Sequence, residues 1–127
     1  MKGKLLIIGA GSVGGHIAHN LQEYNLGEYD VLGFLDDNVN KLNKQLFNYT
    51  VLGPIESIKH FNSELFVVLG VAFPNAKQNI INRLRRIGRF NFPSLVSKSA
   101  WISSEVQINE GAIIYPGCSI NYGTTIG

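Results

Sequence analysis

The residues best suited to chemistry begin with a glycine-rich turn, GAGSVGG, which follows four branched apolar residues and precedes a helical pattern. Gly9 can adopt backbone angles closed to other residues, Gly11 leaves room for a phosphate at the main chain, and Gly14 allows close packing of helix on strand. The amides of Ser12, Val13 and Gly14 would then face an anion at the positive end of the helix dipole. The turn therefore predicts a phosphate-binding site made of backbone amides, although a purely structural turn is the alternative.

Two consecutive aspartates are the candidate acceptors of this site. Asp36 lies about 20 residues after Gly14, the interval at which a carboxylate meets a ribose hydroxyl in dinucleotide-binding domains. We expect Asp36 to contact the ligand and Asp37 to stay solvated, and both are retained as candidates. The alternative is a strand-ending turn completed by Asn38, with no ligand.

The end of the predicted strand 64–71 would border the remaining side of the ligand site, because ligands lie beyond the carboxyl ends of parallel strands. Gly70, Val71 and Ala72 are therefore candidate site residues. No metal site is predicted, because the three histidines and the single cysteine lack companions at metal-ligand spacing.

The elements that must position these residues alternate between strand and helix. Predicted strands cover residues 4–8, 31–35, 50–53 and 64–71, and predicted helices run from 12 to 24, from 54 to 61 and onwards from 74. Ser12 is expected to cap the first helix and Gly88 to end the last one in a left-handed conformation. The Asn- and Lys-rich segment 38–49 is interpreted as a solvated loop. This order predicts an α/β fold, a small Rossmann-like parallel sheet with helices on both faces.

A six-residue period begins after Phe92 and Pro93. Branched aliphatic residues occupy its first place, at Val96, Ile102, Ile108, Ile114, Ile120 and Ile126. Small residues occupy its fifth place, at Ala100, Val106, Ala112, Cys118 and Thr124. Short strands that each bury one aliphatic side chain, with small residues at the corners, predict a β-helix in which Cys118 packs at a corner. The expected division is therefore residues 1–93 and residues 94–127.

The turn, the stretches VLGFLDDN, VLGPIESI and LVSKSAWIS, and the repeat resemble in this order the bacterial sugar O- and N-acyltransferases of the PglD and NeuD type. The resemblance implies a Rossmann-like domain that binds a nucleotide-linked amino sugar, UDP-linked or otherwise, in surface glycan biosynthesis. It implies a left-handed β-helix that forms homotrimers and holds acetyl-CoA between neighbours. Val13 departs from the family, because it stands where the family's turn commonly has histidine.

The same resemblance bears on catalysis. The family's catalytic histidine lies in a later repeat, whereas this chain ends within a repeat at Gly127. We therefore assign no catalytic residue, and we expect the chain to be truncated and inactive in acetyl transfer by itself.

Two other functions are compatible with parts of the sequence. An NAD(P)-binding domain of an oxidoreductase or regulator would explain the segment from Gly9 to Asp36 equally well, but it leaves the six-residue period unexplained. A binding or assembly module without turnover is the third possibility.

Bulk composition narrows the classes further. Hydrophobic residues make up 45% of the chain and charged residues 16%, which is typical of a folded protein. A net charge of +2 does not favour nucleic acid or an anionic membrane as partner. The single cysteine fits a reducing compartment, and together with the absence of a long apolar segment it predicts a cytoplasmic protein.

Overall fold

Five strands form the central sheet of the computed structural model, which describes residues 3–61, 64–121 and 123–126. Their bounds are Lys4–Ile8 (β1), Asp30–Leu35 (β2), Gln45–Leu46 (β3), Tyr49–Gly53 (β4) and Leu65–Leu69 (β5). The order across the sheet is β3-β4-β2-β1-β5, and β1 pairs in parallel with both β2 and β5. Because β1 is central and covered on both faces, its apolar residues are consecutive instead of alternating.

Helices cover both faces of this sheet, as predicted. The α-helices within the described residues are Ser12–His19 (α1) and Pro74–Ile87 (α2). Ile7 of β1 and Ile17 of α1 share one buried cluster, whereas the neighbouring Ile8 packs with Leu84 of α2 on the other face. All four side chains are fully buried. The predicted fold class is confirmed.

The predicted helix 54–61 is a 3₁₀ helix, Ile55–His60, with Pro54 as its N-cap residue. Three details of the other helices also differ from the prediction. The first α-helix ends at His19 instead of Tyr24, and the chain continues as a 3₁₀ helix, Leu21–Tyr24. Ser12 is not its cap: Gly11 is the N-cap residue, and no side chain bonds to the first turn. Gly88 has a φ of −179°, so α2 ends in extended backbone and not in a left-handed residue. Its N–H nevertheless bonds to the carbonyl O of Leu84, 3.0 Å away.

The segment predicted to be a loop contains a 3₁₀ helix, Val39–Lys41, and a β-hairpin. In this hairpin β3 pairs antiparallel with β4, which itself pairs in parallel with β2. Phe47 and Asn48 at its turn have φ values of 52° and 70°. Left-handed conformations at both central residues match the twist of the flanking strands. The Phe47 ring lies so close to Gly15 of α1 that a Cβ there would come within 2.3 Å of it.

The chain after α2 folds into six two-residue strands. They are Leu95–Val96 (β6), Trp101–Ile102 (β7), Gln107–Ile108 (β8), Ile113–Ile114 (β9), Ser119–Ile120 (β10) and Thr125–Ile126 (β11). Each of the first three pairs in parallel with the strand that lies eighteen residues later, for example Leu95 with Ile113. This pairing is what three six-residue units per coil produce. Cys118 is exposed, so the expectation that it packs at a corner is wrong.

Several contacts hold the first coil against the sheet. Leu95 is buried in the cluster on the α1 side. The hydroxyls of Ser97 and Ser99 donate to the carboxylate of Glu23, which lies in the 3₁₀ helix after α1. The repeats therefore begin on a surface that the sheet and its helices provide.

No helix in the described part of the chain is both long and apolar enough to cross a membrane.

Candidate functional site

Three glycines meet where β1, α1 and the end of β5 converge. A Cβ built on Gly14 would lie 1.8 Å from the carbonyl O of Gly9, and one on Gly70 would lie 2.6 Å from the Cα of Gly14. Gly9 also has a φ of 95°, which favours glycine. The start of α1 therefore packs directly on the strand ends. Gly70, predicted to line a ligand, is buried in this packing. Its role in the site is to allow the start of α1 to pack closely on the strand ends.

The turn leaves a row of backbone donors at the start of α1. Gly15 is the first residue whose N–H bonds within the helix, to the carbonyl O of Gly11 at 2.8 Å. The amides of Gly11, Ser12, Val13 and Gly14 have no acceptor among the residues that the structure describes. A Cβ on Gly11 would meet no atom within 4 Å, so the space in front of this residue is open. Such a row of N–H groups can bind a phosphate or another anion.

Asp36 fastens this turn to the end of β2. Its Oδ2 accepts the Ala10 N–H at 2.8 Å, and its Oδ1 accepts the Asn38 N–H at 2.8 Å. The side chain is only 17% exposed. The structure thus brings Asp36 to the glycine turn as the sequence predicted. One bond per oxygen leaves further lone pairs that can accept from a ligand hydroxyl.

Asp37 is held away from the turn, and its side chain is 48% exposed but also paired within the protein. Its Oδ1 accepts the Ile55 N–H at 3.0 Å, and its Oδ2 pairs with the Arg83 guanidinium at 2.9 Å. Arg83 also pairs with Glu56. Burial by itself would raise the pKa of the Asp37 carboxyl, but the hydrogen bond from Ile55 and the pairing with Arg83 outweigh it and hold the pKa below its usual value. This arrangement explains Asp37 as a structural residue.

The residues after β5 lie next to the glycine turn, since a Cβ on Gly9 would come within 2.8 Å of the carbonyl O of Gly70. Val71 is half-buried against the cluster on the α2 side, and Ala72 is exposed. The chain passes from β1 through α1 to β2 on one side, whereas β5 lies on the other side of β1. The glycine turn therefore lies at the point where the strand order reverses, which is where open α/β sheets bind ligands.

Lys41 is a site residue that the sequence did not single out. Its Nζ donates to the carbonyl O of Ala10 at 3.1 Å and lies 4.0 Å from Oδ2 of Asp36. The amine thus lies beside the residue that precedes Gly11. No pattern in the sequence marked it, because its segment was interpreted as a solvated loop.

The histidine nearest the turn serves another purpose. The Nε2 of His16 lies 2.6 Å from the Tyr24 hydroxyl, and its Nδ1 lies 3.3 Å from Nδ2 of Asn20. Val13, at the position where the family commonly has histidine, offers only a backbone N–H. Among the described residues no three His, Cys, Asp or Glu side chains converge as metal ligands would.

Comparison with known proteins identifies the family. Residues 4–84 match the family model described as the PglD N-terminal domain. The chain belongs to this family. The resemblance to PglD-type sugar acyltransferases is thereby confirmed. No curated protein matches the sequence.

Solved structures show the same fold. A mutant perosamine N-acetyltransferase from Caulobacter crescentus, in complex with CoA and GDP-perosamine, matches with a TM-score of 0.77 at 19% identity, over 97% of this chain and 56% of its own. The acetyltransferase domain of PglB from Neisseria gonorrhoeae matches with a TM-score of 0.79 at 23% identity, over 96% of this chain and 58% of its own. A protein called RSP, in complex with beta-NADH, matches with a TM-score of 0.56 at 19% identity, over 99% of this chain and 54% of its own. This PglD-family chain thus spans a little over half the length of the structures it matches.

Proposed function

We propose that this chain is the nucleotide-sugar-binding part of an acetyl-CoA-dependent N-acetyltransferase that acts on a nucleotide-linked amino sugar. The observation that carries the proposal is the row of unpaired amides from Gly11 to Gly14 in a PglD-family domain. Two proteins of the same fold were solved with CoA or acetyl coenzyme A, and one of them also held GDP-perosamine. Acetyl-CoA is therefore the acyl donor that we assign.

The diphosphate of the ligand would bind at the start of α1. Its oxygens accept from the amides between Gly11 and Gly14, where the helix dipole favours negative charge. Lys41 adds a cation next to the turn and offsets the nearby negative charge of Asp36. A remaining lone pair of Asp36 accepts from a ribose hydroxyl. Val13 contributes only its amide, so binding at this position does not depend on a side chain.

The rest of the sequence interpretation is part of the same proposal. Residues 1–93 form the nucleotide-sugar domain, and residues 94–127 form hexapeptide repeats of a left-handed β-helix that assembles as a homotrimer in the complete protein. Val71 and Ala72 border the ligand at the end of β5. The pathway is surface glycan biosynthesis, and the compartment is the cytoplasm, consistent with an exposed free Cys118.

Calorimetry tests this proposal with four ligands: UDP, GDP, a UDP-linked amino sugar and NAD. We expect saturable binding of at least one nucleoside diphosphate, tighter binding of the corresponding amino-sugar nucleotide, and weaker binding of NAD. Binding of NAD without binding of UDP, GDP or the amino-sugar nucleotide would refute it.

An NAD(P)-binding domain is the second candidate. The glycine turn followed by Asp36 fits the dinucleotide fingerprint, and RSP, which shares this fold, was solved with beta-NADH. The same titrations separate the two candidates, because only this one predicts NAD as the tighter ligand.

A further inference from the structure

A cavity of about 440 Å³ lies between α2 and the six-residue repeats. Leu69, Ile81 and Ile113 provide apolar lining, and the side chain of Lys77 provides a cation. Small-molecule sites commonly have volumes of roughly 300 to 1,000 Å³ and combine an apolar lining with a few polar groups. The cavity has the size and the mixed lining of such a site, and no residue of the glycine turn lines it.

Lys77 is the polar group of this cavity whose hydrogen bonds and charge are least satisfied by the protein. Its side chain is half-buried, and its amine has one acceptor among the described residues, the carbonyl O of Gly111 at 3.3 Å. An ammonium group carries three donors, so two have no acceptor in the described protein. Burial holds the pKa of Lys77 below its usual value, because desolvation disfavours the charged ammonium form. An anion in the cavity would supply both the missing acceptors and the missing charge.

The other charged groups of the lining compensate each other. The carboxylate of Glu110 pairs with the guanidinium of Arg85 at the edge of the cavity. Gln78 and Asn109 are neutral amides. The lining therefore carries one cation, Lys77, beyond those that are paired within it, and this excess favours a negatively charged occupant.

We propose that this cavity is a binding site for a small organic anion, a carboxylate or a phosphate ester with an apolar portion, in which Lys77 binds the anionic group. The apolar portion packs on Ile81 of α2 and on Ile113 of the repeats. Since the lining comes from both α2 and the repeats, the occupant connects these two parts of the chain. The cavity shares Ala72 with the proposed nucleotide site but contains no residue of the glycine turn, and anion binding at Lys77 does not depend on nucleotide binding.

The test uses probes of similar shape and different charge. Phenyl phosphate and benzoate represent the two kinds of anion, benzyl alcohol is the neutral control, and benzylamine is the cationic control. In amide NMR titrations of the full chain we expect saturable shifts at Lys77, Gly111 and Ile113 with at least one anion and none with the controls. In the wild-type protein the bound anion should also raise the pKa of Lys77, followed through its side-chain carbon shifts, whereas benzyl alcohol should not.

Two variants complete the design. Lys77→Met should weaken binding of the anion at least tenfold, whereas Lys59→Met, which removes an exposed lysine of the 3₁₀ helix Ile55–His60, should leave it unchanged. Equal shifts with benzyl alcohol and the anions, equal affinity in Lys77→Met, or anion-induced shifts confined to residues 11–14 would each overturn the proposal. Shifts confined to residues 11–14 would not affect the proposal of a nucleotide site at the glycine turn. Failure of UDP and GDP to bind would not affect the proposal of an anion site at Lys77.

Discussion

Replacing Gly14 by alanine tests whether the three-glycine packing positions the site. The added Cβ would lie 1.8 Å from the carbonyl O of Gly9 and 2.9 Å from its carbonyl C. Because real Cβ atoms essentially never come within 3.0 Å of such an atom, the start of α1 would have to move by about 1 Å or more. Both partners are backbone, so no side-chain rotation relieves the contact. Overpacking of this kind costs about 1–3 kcal/mol, and we expect a value near the upper end for Gly14→Ala.

Gly11→Ala is the matched control, since it adds the same methyl group three residues away. Its Cβ would meet no atom within 4 Å, and Gly11 is in extended backbone with a φ of −97°, outside the left-handed region that favours glycine. Urea denaturation followed by circular dichroism should therefore give Gly11→Ala a free energy of unfolding within about 0.5 kcal/mol of the wild type. If Gly14→Ala is equally stable, the packing of α1 on the turn is not as described.

The same pair separates stability from binding. The methyl group of Gly11→Ala occupies the open space in front of the unpaired amides, where the proposed phosphate lies. We expect this variant to bind UDP or GDP about tenfold more weakly, a loss of about 1.4 kcal/mol, although its fold is intact. Unchanged affinity would show that the phosphate does not approach the turn at Gly11.

Three further predictions concern groups around the site. Arg83→Met should lower the free energy of unfolding by about 1 kcal/mol, since Asp37 and Glu56 lose a partner whose side chain is 33% exposed. Urea denaturation should show no comparable loss in the control Arg86→Met. The hydrogen bond from Ser97 holds the pKa of Glu23 below its unfolded value. The stability that Glu23 contributes is therefore present above the unfolded pKa and is lost as the pH falls through the folded pKa. Glu23→Gln should remove that part of the pH dependence, measured by thermal denaturation from pH 6 to pH 3. Burial raises the pKa of Tyr24 to about 12. In an ultraviolet titration the tyrosines that ionise at lower pH should therefore be unchanged in Tyr24→Phe.

Elements with a strong repeating pattern were predicted well from the sequence. The bounds of β1 agree with the prediction, because four consecutive branched residues between Lys4 and Gly9 favour a buried strand. The six-residue period predicted the short parallel strands of the repeats, since its phase is preserved over six units. In β1 all four aliphatic side chains are buried, whereas among the first-place residues of the repeats Ile114 and Ile120 are buried and the others are half-buried.

Elements determined by contacts distant in sequence were predicted poorly. The β3–β4 hairpin has a two-residue strand, and its turn places Phe47 against Gly15 of α1, which no local pattern indicates. The pairing of Asp37 with Arg83 was not predicted, because the two residues lie far apart along the chain. Lys41 was missed for the same reason: its contact with Ala10 exists only after the segment folds over the turn.

An amide NMR titration with UDP and GDP tests the central claim most directly, namely that the start of α1 binds a diphosphate through backbone N–H groups. We predict large saturable shifts at the amides of Gly11, Ser12, Val13 and Gly14 with at least one of the two nucleotides, and smaller shifts in Lys41→Met at the same ligand concentration. Lys44→Met, which removes an exposed lysine of the same segment, should behave as the wild type. Saturable binding that leaves these four amides unshifted, or no binding of either nucleotide, would contradict the account.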